Sequence, residues 1–466
     1  MKHPIKTVLL LVVLLWIVVF LVGRIRWPIQ LDQGWSPPVT VAGTENDIDG
    51  GGDLYKWHDT LILLQSRYDR ASKSSTCSII VRNNDLSNSW SQIPLSDVAG
   101  DYTFYSPALD QANDRIMFER GYIESNRLQM GAIFLRLTVN NRIQVEANRT
   151  WTMDQESLFG KTGTNVTLNE PATRANQPNR DYPSLGKGVL DGSEVYVPYC
   201  LHGATQRGRT VYADEGPFNN GVFHSTDFGK TWQMEKVSDA DSFDPSVCRT
   251  EAKCYYFANG QVGTRRGWAF WFSRKSTGNG SWDTPKVVTR TVASGVNERY
   301  SAVAKGDTIH VCWLDNRHEK WTLSLDHPGR GNYEVAYCWL KDSDTNWRKD
   351  TILSRGVMFA YSPCMSVEGD KIVVAWAGAQ TAHAWPFEGD PSDIYYATSK
   401  DGGKAWSKPR QVTDHAKDGI TSGSARVALQ NGVIHLFYAQ GKYNRNAQVS
   451  QQGGWPVYYQ QRTFPE

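Results

Sequence analysis

The chain has 466 residues, with 50 lysines and arginines against 48 aspartates and glutamates, a formal net charge of +2. That balance excludes both a protein that coats nucleic acid through a basic surface and an acidic disordered chain. Hydrophobic residues at 40% allow a large core, while 18 Trp, 21 Tyr, 16 Phe, 40 Gly and 20 Pro disfavour a helical bundle and favour many short strands and turns.

Residues 8–22 read VLLLVVLLWIVVFLV, without a polar or charged side chain, between Lys2 and Lys6 on one side and Arg24 and Arg26 on the other. The run approaches a span of about 20 residues, is long for a signal-peptide core and is followed by no small-residue cleavage site. It predicts an uncleaved signal anchor over 1–26, one transmembrane helix that holds the chain to a membrane. Residues 27–466 are then extracytoplasmic, since no second apolar span follows.

The rest of the chain repeats. Asp32-Gln33-Gly34-Trp35 precedes the strand-like Val39-Thr40-Val41. Asn83 to Trp90 keeps an aspartate, a hydroxyl and a tryptophan, and Asn148 to Trp151 keeps only the end of that pattern. The full form is Ser225-Thr226-Asp227-Phe228-Gly229-Lys230-Thr231-Trp232, and it returns as Ser399 to Trp406. Weaker copies lie at Asn279 to Trp282 and Asp342 to Trp347. The spacing has a physical reason. Serine and aspartate oxygens accept backbone N–H groups in a tight turn, glycine supplies a positive φ, and the tryptophan packs on a neighbouring sheet.

Between these turns each segment opens on a strand, often marked S-P or P-S (Tyr105-Ser106-Pro107, Tyr182-Pro183-Ser184, Asp244-Pro245-Ser246, Tyr361-Ser362-Pro363). An apolar second strand follows, as in KIVVAWAG and VIHLFYAQ, then a third strand into the turn and a fourth out of it. Four strands per repeat of about 50–80 residues describe a propeller blade. The expected fold is therefore an all-β β-propeller of four-stranded blades over 27–466. Turn tryptophans at Trp90, Trp151, Trp232, Trp282, Trp347 and Trp406 count six blades, and a partial repeat from Thr421 to the end makes seven, with six as the alternative. That last repeat lacks a fourth strand, and Val39-Thr40-Val41 would supply it, so an amino-terminal strand closes the last blade.

The S-x-D-x-G-x-T-W turn resembles the Asp box of the sialidase (BNR-repeat) superfamily. The resemblance implies a mouth where inner strands begin, an arginine cluster for a substrate carboxylate, a nucleophilic tyrosine activated by glutamate, and an acid/base carboxylate. Asn297-Glu298-Arg299-Tyr300 is similar to the family's N-E-x-Q opening, which assigns Glu298 to catalysis. Trp313-Leu314-Asp315-Asn316-Arg317 ends a strand where the family places an arginine, Arg317. Leu61 to Asp69 resembles its strand ending in A-R with a following acid, giving Arg67 for binding and Asp69 for catalysis. Tyr361-Ser362 resembles its late Y-S pair and makes Tyr361 the catalytic tyrosine. Further mouth candidates for substrate binding are Arg120, Arg180, Asp181 and Arg426. The family's F/Y-R-I-P arginine has no counterpart, since the region reads Gly52-Asp53-Leu54-Tyr55-Lys56-Trp57. The expected function is an exo-glycosidase of sialidase type acting on a glycan. The alternative is a non-catalytic propeller binding carbohydrate or protein.

No phosphate loop, HExxH, GxSxG, dinucleotide fingerprint or Cys/His metal spacing occurs, so no cofactor or metal is expected. Of the 7 cysteines, Cys248 and Cys254 are close enough in sequence to pair across a hairpin, with buried thiols as the other reading.

Overall fold

The computed structural model describes residues 29–42, 47–57, 60–69, 74–82, 90–94, 108–124, 127–137, 143–153, 184–201, 205–207, 210–212, 219–261, 269–278, 280–290, 300–317, 333–357, 359–379, 391–442 and 456–465. Their strands form seven antiparallel blades. Blade 1 holds Asp47–Trp57, Thr60–Asp69, Ser74–Arg82 and Trp90–Pro94, and blade 2 holds Ala108–Asp110, Arg115–Glu124, Arg127–Leu137 and Ile143–Met153. In blade 3 the innermost strand is split into Ser184–Leu185 and Val189–Asp191, followed by Glu194–Leu201, Asn219–Ser225 and Gln233–Ser238. Blade 4 runs through Asp241–Arg249, Lys253–Gln261, Ala269–Ser276 and Lys286–Thr289. Blade 5 runs through Tyr300–Lys305, Thr308–Asp315, Glu334–Lys341 and Thr351–Ile352. Blade 6 comprises Phe359–Glu368, Lys371–Ala379, Asp393–Ser399 and Arg410–Gln411. Blade 7 has Ile420–Gln430, Val433–Lys442, Val457–Thr463 and, as its outermost strand, Val39–Ala42.

The amino-terminal strand thus closes the last blade as the sequence predicts, with Val39 opposite Tyr459 and Thr40 opposite Tyr458. Among the described residues no helix is long and apolar enough to cross a membrane. The anchor expected over 1–26 lies outside the described residues.

The core lies between blades. Ile62, Leu64 and Ile79 of blade 1 pack with Ile116, Phe118 and Ile133 of blade 2. At the ring's closure, Leu61, Leu63 and Ile80 of blade 1 meet Phe437, Val457 and Tyr459 of blade 7. A middle strand buried on both faces must be apolar at consecutive positions, which explains runs such as KIVVAWAG without alternation.

Four of the turn tryptophans pack edge-on against the blade before their own. Trp90 lies edge-on to Phe437 at 5.0 Å, Trp347 to Phe272 at 5.3 Å, Trp406 to Tyr337 at 4.6 Å and Trp35 to Tyr396 at 5.4 Å. The turn delivering the tryptophan is self-bonded. Ser225 Oγ accepts from Gly229 N at 2.8 Å, and Asp227 Oδ1 accepts from Thr231 N at 2.8 Å. Ser399 and Asp401 repeat this with Gly403 N at 2.9 Å and Ala405 N at 2.9 Å. The backbone N–H and hydroxyl of Thr231 hold the Asp227 carboxyl down to about 2.

The Cys248–Cys254 pairing is not adopted. Cys248 faces Tyr255 and Arg249 faces Cys254 across the hairpin, so the two thiols point to opposite sides of the sheet. Both are free and buried, as are Cys200, Cys312 and Cys338.

Blades 3 and 4 are joined by an ion pair between a buried lysine and a half-buried glutamate. Lys275, whose side chain is 0% exposed, bonds Glu235 at 2.6 Å, and Glu235 also accepts from Trp282 Nε1 at 2.8 Å and bonds His224 Nδ1 at 2.9 Å. Burial pushes the Glu235 carboxyl up, but His224, Lys275 and Trp282 outweigh it and hold it at about 2. A carboxylate depressed on folding stabilises above its unfolded pKa, and that contribution is lost as pH falls from about 4.5 toward 2. Acid unfolding should therefore remove on the order of 3 kcal/mol through this residue. Glu235→Gln should flatten the stability–pH curve below pH 5, and an unchanged slope would refute the assignment.

Candidate functional site

Antiparallel pairing puts the start of each innermost strand and the end of its neighbour at one end of the blade. The aspartate turns, between third and fourth strands, lie at the other end. At the first end, among the described residues, four innermost strands carry a bulge, in blades 1, 4, 6 and 7. Its flanks are Asp49 and Gly52, Phe243 and Ser246, Tyr361 and Cys364, and Gly423 and Arg426. Three bulges hold a non-glycine residue in the left-handed region, Asp244 at φ 52, Ser362 at φ 49 and Ser424 at φ 51. Pro245 and Pro363 occupy the extra position, where a residue without an N–H costs no ladder bond. The marks Asp244-Pro245-Ser246 and Tyr361-Ser362-Pro363 are thus bulge signals. Bulges and left-handed residues concentrate where a strand must re-aim side chains near a site.

Neighbouring blades lock the bulges. The Tyr300 hydroxyl lies 2.5 Å from Asp244 O and 2.9 Å from Ser246 Oγ. Blade 3 meets the blade 4 bulge backbone to backbone, with Val247 N donating to Lys187 O at 2.8 Å. A Cβ on Gly186 would lie 1.5 Å from Pro245 O, so only glycine fits there. Gly186→Ala should destabilise the propeller by more than about 3 kcal/mol, measured by denaturant unfolding. A change under 1 kcal/mol would contradict this contact.

The sequence-predicted residues with described backbones share this end. Arg67 pairs with Asp49 and Asp69 with Asp47 in blade 1, and Arg120 pairs with Gly131 in blade 2. The side chains of these three lie outside the described residues, as do Glu298, Arg180 and Asp181 altogether. Arg426 directly follows the blade 7 bulge, half-buried, and its Nη1 donates to Ala425 O at 2.9 Å. Tyr361 directly precedes the blade 6 bulge, but its side chain is only 4% exposed. Its hydroxyl is 2.5 Å from Ser392 Oγ, and Ser392 Oγ donates to Ser422 O at 2.9 Å. The Tyr361 hydroxyl also donates to Ser422 O at 3.4 Å, so Tyr361 and Ser392 share that carbonyl and hold blade 6 against blade 7.

Arg317 is brought to a different place. Its Nε and Nη2 donate to the buried Asp315 at 2.8 and 2.7 Å, and Nη2 also pairs with Asp350 on the approach to the outermost strand. The guanidinium therefore lies on the flank of blade 5, at its seam with blade 4, where it lines a cavity with Thr289 and Trp347.

Sequence reasoning missed the polar cluster beside Tyr361. Asp393 accepts from Thr413 Oγ1 at 2.9 Å, from His415 N at 2.8 Å and from Gln411 Nε2 at 3.1 Å. Burial pushes its carboxyl up. An aspartate opening an apolar third strand (DIYYATS) was the available signal. Among the described residues no three metal-binding side chains come together.

No protein-family profile and no curated protein matches the chain. Solved structures do. The ulvan lyase bound to -[GlcA(1-4)Rha3S]- is similar at 11% identity and a TM-score of 0.47, covering 94% of this chain and 96% of that one. The polysaccharide lyase Uly1 aligns at 8% identity and TM-score 0.46, covering 89% and 90%. Trypanosoma rangeli sialidase in complex with sialic acid aligns at 10% identity and TM-score 0.44, covering 94% of this chain but 60% of its own length. These likenesses are of overall fold, and no side chain takes a role from them.

Proposed function

We propose that the bulged end of the propeller is a carbohydrate site and that the chain acts there as an extracytoplasmic exo-glycosidase of sialidase type. The observation that carries the reading is the convergence at one end of the fold: the bulges, Tyr361, Arg426, and the stretches of second strand bearing Arg67, Asp69 and Arg120 all fall there. In this reading Arg67, Arg120, Arg180 and Arg426 bind the substrate carboxylate, and Asp181 contributes to substrate binding. Asp69 serves the leaving group, and Glu298 draws the proton from Tyr361. For Tyr361 to attack, Glu298 must replace Ser392 as its hydroxyl partner. The aspartate turns play the part of Asp boxes, structural and remote from the mouth, and the amino-terminal anchor presents the propeller outside the membrane.

A second reading, a non-catalytic glycan-binding propeller, is favoured by the burial of Tyr361 and by its hydroxyl being held between Ser392 and Ser422. One experiment separates them. The chain 29–466 is assayed with a fluorogenic sialoside beside Glu298→Gln and Tyr361→Phe. The enzyme reading expects turnover that falls at least about 100-fold in both variants, as loss of a general base or nucleophile requires. Turnover that neither variant alters, or binding without turnover, would overturn it.

A further inference from the structure

The seam cavity holding Arg317 belongs to neither the mouth nor the aspartate turns. Its volume is about 390 Å³, within the range of small-ligand sites and well above that of a lone inorganic anion. Val288 and Thr289 of blade 4 form one wall, and Trp347, Lys349 and Arg317 of blade 5 line the other. Its charges are unequally satisfied. Asp315 and Asp350 are both engaged by Arg317, and Arg348 pairs with Asp344 at 3.0 Å. Arg317 Nη1, Lys349 Nζ and the buried Trp347 Nε1 have no hydrogen-bond partner among the described residues, so two cations and an indole N–H are left over as donors, while the two carboxylates are ion-paired to Arg317. Lining made of an indole, a valine and two unspent cationic donors suits a ring with one carboxylate: the ring lies on apolar surface and the carboxylate takes the donors.

We infer that this seam cavity binds one carboxylated sugar residue, as an accessory site distinct from the mouth. The inference does not rest on the mouth being catalytic. It assigns Arg317 a binding role on the flank, with Asp315 and Asp350 as its positioning residues.

The test is saturation-transfer NMR on 29–466 with D-glucuronate, D-glucose and acetate, in the parent chain, Lys349→Glu, Lys349→Arg and Glu298→Gln. Lys349 is exposed, so its variants should fold, and circular dichroism checks this. Glucuronate should bind at least 10-fold more tightly than glucose or acetate. Lys349→Glu should lose at least 10-fold, Lys349→Arg should keep the affinity, and Glu298→Gln should leave it unchanged. Equal binding of glucose, no binding of glucuronate, or indifference to Lys349→Glu would overturn the site. Loss in Glu298→Gln alone would place the sugar in the mouth and overturn it equally.

Discussion

A chain that begins at residue 29 is expected to melt in one cooperative transition, and a chain that begins at residue 43 is expected not to fold. The fourteen residues between them complete blade 7 and tie it to blade 6. Without them Val457–Thr463 becomes an unpaired edge. Trp35, half-buried, leaves Tyr396, and losing a partly buried tryptophan costs about 2–3 kcal/mol, below the range for a fully buried one. Asp32 leaves Arg462, whose side chain is 10% exposed, and a stranded buried charge costs about 3–5 kcal/mol. Gln460 Nε2 loses Ser36 O at 2.7 Å, and Gln461 O loses Ser36 N at 2.8 Å. Together these approach the 5–15 kcal/mol by which a typical domain is stable. A milder variant keeps the test quantitative: Asp32→Ala should cost about 3 kcal/mol by leaving Arg462 unpaired. Melting of 43–466 within a few degrees of 29–466 would contradict the closure.

The second large effect is expected at a single glycine. Gly403 closes the Ser399–Asp401 turn at φ +87, and a Cβ there would lie 2.0 Å from Tyr337 Oη. That hydroxyl cannot easily yield, because it bonds His310 Nδ1 at 2.7 Å within the core of blade 5. Gly403→Ala therefore combines left-handed strain with a clash and should cost about 3–5 kcal/mol. Gly402 beside it is the control. It has φ +71, but the nearest atom to an added Cβ is Asp370 Oδ1 at 3.7 Å, so Gly402→Ala should cost only the backbone strain, about 1–2 kcal/mol. Adding Tyr337→Phe to Gly403→Ala should recover part of the loss. Equal losses at the two glycines in chemical denaturation would show that the turn is not wedged against blade 5.

The blades and their closure were legible because their signals are local. The aspartate turn carries its own hydrogen-bond chemistry within eight residues, and Asp32-Gln33-Gly34-Trp35 repeats enough of it to place the missing strand. The role of the tryptophans was legible for the same reason. Side-chain destinations were not. Trp313-x-Asp315-x-Arg317 reads alike whether the arginine turns to the channel or to the flank. Asp350, which helps decide, reaches it only through third-strand pairing and a turn. Tyr361 and Tyr105 share a Y-S-P signature, and nothing local says that Ser392 and Ser422, from two other strands, will enclose the Tyr361 hydroxyl. The left-handed Asp244 and Ser362 each precede a proline, where sequence alone favours extended backbone.

The most direct measurement on the central claim is NMR of the sugar first released from a sialoside by 29–466, recorded before the anomers equilibrate. A tyrosine nucleophile at the bulged end requires two displacements at the anomeric carbon, so the released sugar should keep the configuration of the substrate. Release with the opposite configuration, or no release at all, would contradict the account.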